Sequence, residues 1–102
     1  MDSLKNELKR MIDYQEKAIV SKQIIKKPNG NVTLFALDKD ELISEHTSPY
    51  EALVQVIEGK MKITVGGQNY NLEEGEIILL PSNISYGLVA LEKSKILLTM
   101  IK

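Results

Sequence analysis

Apolar and polar side chains alternate most clearly from Lys60 to Val65, where Met61, Ile63 and Val65 share one face and Lys62 and Thr64 the other. A period of two is that of a strand with one face on a core. The pattern predicts further strands at Ala18 to about Lys26, Val32 to Leu37, Leu42 to Glu45 and Glu51 to Ile57. Gln68 to Leu72, Glu76 to Leu80, Ile84 to Leu91 and Lys95 to Ile101 complete the series. The breaks between them are rich in turn formers: Pro28-Asn29-Gly30, Asp38 to Glu41, the Pro49 turn, Glu73-Glu74-Gly75 and Pro81-Ser82-Asn83. Gly66-Gly67 suits a two-residue hairpin turn, which needs positive φ at both positions. Short strands at intervals of roughly 8 to 12 residues predict a β-sandwich or barrel.

The chain before Ala18 has a different period. Leu4, Leu8, Met11 and Ile12 fall at helical spacing, and Lys5, Glu7, Lys9, Arg10 and Asp13 occupy the other side. A short helix over residues 3–14 is the expectation, with Ser3 capping its first turn. It reads either as a flap packed on the barrel or its twin, or as a docking or targeting helix. Targeting is disfavoured by the acidic residues. The division expected is an N-terminal helical segment, 1–16, and a single β-barrel domain, 17–102. Several strands are apolar on both faces: Leu53-Val54 with Val56-Ile57, Ile77 to Leu80, and Ile96 to Leu98. An antiparallel sheet with one face in water should alternate instead. The outer faces therefore need cover, part from the helix and the rest from a second copy in a homodimer.

Size and composition narrow the function classes. A chain of 102 residues builds one core. With 43% hydrophobic and 26% charged residues it has an ordinary globular mix. A net charge of −1 without a basic run argues against nucleic acid and anionic membranes as partners. Cysteine is absent, which removes disulfides, thiolate catalysis and Cys-ligated zinc. The lack of Cys and Trp also weakens an immunoglobulin-like sandwich. No apolar run reaches the roughly 20 residues that span a bilayer. Nor is there the apolar core of a secretory signal, so cytoplasmic residence is expected.

Two blocks, Glu45 to Gly59 and Gly75 to Ala90, carry a resemblance. At the family's spacing they resemble the two motifs of small single-domain cupins. In the first motif His46 stands at the first histidine and Gly59 at the closing glycine; Asp40 replaces the opening glycine, Ser48 the second histidine and Ala52 the glutamate. In the second, Gly75 and Pro81 match, while Asn83 stands for a glycine, Tyr86 for the histidine and Ala90 for the asparagine. The resemblance implies an all-β fold, an antiparallel jelly-roll barrel around a cavity. It also implies a divalent transition metal on three histidines and a glutamate, of which only His46 is retained.

Matches at Gly59, Gly75 and Pro81 concern backbone shape; the mismatches concern chemistry. A transition-metal site normally needs about three protein ligands. Ser48 and Tyr86 are poor ligands while protonated, and Ala52 offers none. Strand alternation sends Glu45 and Glu51 away from the His46 face. No resident metal is therefore expected; the alternative is a metal-dependent oxygenase or isomerase that uses His46 with a non-standard ligand set. Without metal, His46 reads either as a satisfied structural residue or as the polar anchor of a small-molecule pocket with Ser48 and Tyr86. By the geometry of the family, Val54, Val56, Met61, Ile63 and Leu88 would form that pocket's apolar walls. A His46–Tyr86 acid–base pair is a further option, but it lacks an evident orienting carboxylate. The leading expectation is a binder of a small organic molecule, with catalysis left open. A barrel closed by packing, with no pocket near His46, is the third reading.

Overall fold

The computed structural model describes residues 4–102. Nine antiparallel strands follow one another along the chain: β1 (Ile19–Lys27), β2 (Gly30–Leu37), β3 (Leu42–Thr47), β4 (Glu51–Glu58), β5 (Lys60–Val65), β6 (Gln68–Glu73), β7 (Ile77–Leu80), β8 (Ser85–Ala90) and β9 (Ser94–Ile101). They form a five-stranded sheet in the order β1-β2-β9-β4-β7 and a four-stranded sheet in the order β3-β8-β5-β6. The chain thus changes sheet repeatedly and closes as a jelly roll, the all-β architecture expected. Gly66 and Gly67, at φ 57° and 83°, make the tight β5–β6 turn that their sequence predicts.

On β4 and β5 the inward positions alternate strictly. On β4 the buried residues are Ala52, Val54 and Val56, and on β5 they are Met61 and Ile63. With Leu72 from β6 and Leu80 from β7 they form most of the main core. The sheets approach each other on this side, β4 against β6.

The expected N-terminal helix is not there. Among the described residues the segment holds one 3-10 turn, Leu8–Arg10, and is otherwise irregular; the proposed Ser3 cap lies outside the described residues. The Lys9 carbonyl, which an α-helix over 3–14 would give to the amide of Asp13, is taken by a sheet side chain instead. The Lys95 ammonium donates to the carbonyl of Lys9, and the Lys22 ammonium, at 3.4 Å, to that of Met11. The apolar stripe nonetheless packs as a flap would. Ile12 is buried against Leu34 and Ala36, with Leu8, Met11 and Tyr14 around it. Tyr14 donates a 2.6 Å hydrogen bond to a Glu58 carboxylate oxygen, and burial, reinforced by that carboxylate, holds its phenol well above the ordinary value. The segment thereby covers one half of the outer face of the five-stranded sheet. Among the described residues no helix is long and apolar enough to cross a membrane.

Candidate functional site

Strands β3 and β8 bring His46 and Tyr86 directly opposite each other. Their ring centroids are 4.6 Å apart and the planes are tilted by 56°. Regular alternation would put Ile43 and His46 on opposite faces. The register of β3 shifts between them, so that Ile43 faces Leu88 while His46 faces Tyr86. This bulge turns both side chains inward. The carbonyl of Ser44, inside the bulge, lies 2.9 Å from His46 Nδ1. A carbonyl only accepts, so Nδ1 carries the hydrogen, and in the neutral ring Nε2 is the acceptor. Glu45 leaves on the outer side, where its carboxylate accepts a 3.3 Å bond from the Ser85 hydroxyl.

Behind the pair lies a cavity of about 260 Å³. Of the residues expected around a pocket, His46, Tyr86 and Leu88 line it, and so does Ile43. The opposite wall comes from β2 and β9: Phe35, Ile96, Leu98 and Met100. Sequence reasoning missed this wall, because β9 is apolar on both faces and its inward set could not be told from its outward one.

The other expected pocket residues sit elsewhere. Val54, Val56, Met61 and Ile63 have no exposed surface and fill the core on the β4–β5 side rather than lining the cavity. They belong to the half of the barrel where the sheets are pinched together, so no space is left beside them. Ser48 lies in the β3–β4 turn. Its hydroxyl accepts the Tyr50 N–H at 3.1 Å and its carbonyl accepts the Asn83 N–H at 2.7 Å, which ties the turn to that before β8.

Tyr86 is only 4% exposed, yet among the described residues its hydroxyl has no protein hydrogen-bond partner. Burial raises its pKa above the ordinary phenol value, so the group stays protonated at neutral pH and can donate. His46 is exposed and stands at the mouth. The site thus offers an apolar chamber, one acceptor nitrogen and one hydroxyl.

That donor set does not fit a transition metal. Ala52 has no donor atom, Ser48 is engaged in its turn, and the Glu45 carboxylate is on the outer side. Among the described residues no three His, Cys, Asp or Glu side chains cluster. The backbone places of the two motifs are kept even where their residues differ. Asp40 and Asn83, standing where the family has glycine, adopt φ 72° and 63°. Asp and Asn are the residues that best tolerate this region after glycine.

The comparisons with known proteins agree with that scaffold. A structure described as the conserved SPY1581 protein of unknown function from Streptococcus pyogenes superposes with a TM-score of 0.94 at 28% identity, covering 100% of this chain and 90% of that one. A cupin 2 conserved barrel domain protein from Leptotrichia buccalis is 37% identical with a TM-score of 0.86, over 89% of this chain and 44% of its own. Salicylate 1,2-dioxygenase from Pseudaminobacter salicylatoxidans shares the fold at 16% identity and TM-score 0.76, over 81% of this chain and 26% of its own. Among curated proteins no relative matches. The family model described as the cupin domain matches residues 33–102, and the chain belongs to the cupin family.

Proposed function

We propose that this cupin binds a small organic molecule in its barrel without a resident metal. The observation that carries the reading is the buried Tyr86, whose hydroxyl has no protein hydrogen-bond partner among the described residues, on an apolar cavity of about 260 Å³. A buried polar group without a partner is destabilising, and a site that keeps one is organised for something that supplies the partner. An apolar chamber with a few convergent polar groups is the usual make-up of a small-molecule site. Screening a metabolite library by methyl and amide NMR tests it; binding should perturb Leu88, Leu98 and Met100. The absence of any such perturbation overturns the reading. The metal-dependent alternative predicts one transition ion per chain after exhaustive EDTA dialysis, and finding it would overturn the metal-free assignment.

We also propose that the chain works as a homodimer through the outer face of its five-stranded sheet. One apolar row crosses all five strands there, Ile25–Val32–Thr99–Leu53–Leu79, with Ile77 and Ile101 beside it. Leu79, Ile77 and Ile101 are 55%, 58% and 64% exposed. Five strands about 4.8 Å apart with two free outward rows about 6.7 Å apart, plus Gln55 and Ile77 of a third row, give a projected area of the order of 400 Å² per copy. Side-chain relief raises this, bringing two copies to about 1,000 Å², the size a specific interface has to clear. A second copy is the occupant this favours, because two equal sheet faces pack onto each other with their strands nearly aligned. Light scattering should give a dimer mass, and Leu79→Lys a monomer of unchanged fold. A monomeric wild type at tens of micromolar overturns the proposal.

A further inference from the structure

Three properties of the cavity restrict what it accepts. The first is size. An apolar cavity of about 150 Å³ takes benzene, so about 260 Å³ takes one ring with short substituents. The second is charge. No Lys, Arg, Asp or Glu lines the cavity. An ionised carboxylate, phosphate or ammonium would lose its hydration there without a counter-charge, a cost of several kcal/mol per ion. The third is hydrogen-bond direction. With Nδ1–H donated to the Ser44 carbonyl, the neutral His46 ring presents Nε2 as an acceptor. The Tyr86 hydroxyl, one strand away across a 4.6 Å centroid separation, can donate. A partner that takes Nε2 as its acceptor and the Tyr86 hydroxyl as its donor presents both functions on neighbouring atoms. A single hydroxyl group does so with one oxygen.

Resting on the small-molecule reading above, we propose that the cavity takes an uncharged, ring-sized alcohol, of which the phenols are the flattest fit, with its hydroxyl held between His46 Nε2 and the Tyr86 hydroxyl. Phe35, Ile96 and Leu98 close on the ring from the other sheet. Hydrocarbons of the same shape bind through the walls alone, and anions of the same shape are rejected.

The test uses the full chain at pH 8 with three probes of one shape: 4-ethylphenol, ethylbenzene and 4-ethylbenzoate, followed by NMR titration. Expected is an affinity for 4-ethylphenol about tenfold above that for ethylbenzene, the worth of one to two net hydrogen bonds, with 4-ethylbenzoate weakest. Tyr86→Phe and, separately, His46→Leu should bring 4-ethylphenol down towards ethylbenzene and leave ethylbenzene unchanged. Equal affinity of phenol and hydrocarbon, or preference for the benzoate, overturns the ligand class and leaves a pocket that binds by shape or charge. No perturbation of Leu88, Leu98 or Met100 by any probe overturns the ligand class, while the wider library then decides whether the pocket binds at all. Because the two variants alter different strands and His46 is exposed, misfolding of one leaves the other to decide.

Discussion

The two halves of this barrel are built from the same residue types and end up differently. Under β4, β5, β6 and β7, Val54, Val56, Met61, Ile63 and Leu80 are sealed with no exposed surface. Under β2, β3, β8 and β9, Phe35, Ile43, Leu98 and Met100 are only partly buried and, together with the buried Leu88 and Ile96, surround open space. Apolar content alone does not decide which half is solid. The difference lies in how close the sheets come, and in a bulge that turns the His46 imidazole inward where regular alternation from Ile43 would have brought the Glu45 carboxylate. The closed half supplies stability, so the open half is free to stay hollow.

Truncation should expose that division. Ile63→Ala removes atoms from a close-packed site and should cost about 3–4 kcal/mol in urea unfolding. Leu98→Ala, which only widens an existing space, should cost less than half as much. Equal losses would mean that the halves are not distinct. Ile12→Ala tests the strap over the outer face, where Ile12 is 5% exposed. It should cost about 2–3 kcal/mol. Filling reverses the comparison: Leu98→Phe should leave stability within about 1 kcal/mol, whereas Val54→Phe in the solid half should lose about 1–3 kcal/mol by overpacking. Binding of any cavity probe should disappear in Leu98→Phe. The smallest effect belongs to Tyr86→Phe, which removes a hydroxyl without a protein partner among the described residues and should change stability by about 1 kcal/mol or less, in either direction. A loss well beyond that would show a protein partner for the hydroxyl.

The strands were legible in the sequence because their signals are local. Lys60 to Val65 alternates on its own, and Gly66-Gly67 can do little but turn. The cupin scaffold was legible through Gly59, Gly75 and Pro81, which stand at their motif positions and mark backbone shape; Gly59 and Gly75 adopt φ 91° and 90°. The first segment was misread for a reason that is not local. Nothing in Leu8 to Ile12 reveals that Lys95 will take the Lys9 carbonyl that a helix needs. The far cavity wall was hidden for a related reason. In a strand apolar on both sides, such as Ile96 to Leu98, parity against the partner strand decides which residue faces in. His46 and Tyr86 were picked out because they stand at ligand positions of the two cupin motifs, whereas Val54 and Met61 gave no sign of which half they would fill.

Strand β3 carries one residue more than its pairing with β8 requires, between Ile43 and His46. Deleting Ser44 would restore regular pairing with Ile43 and His46 two positions apart and both still facing inward, and would take away the carbonyl that holds Nδ1–H. The extra codon therefore decides not where the imidazole sits but what fixes its tautomer, with little consequence for whether the barrel folds.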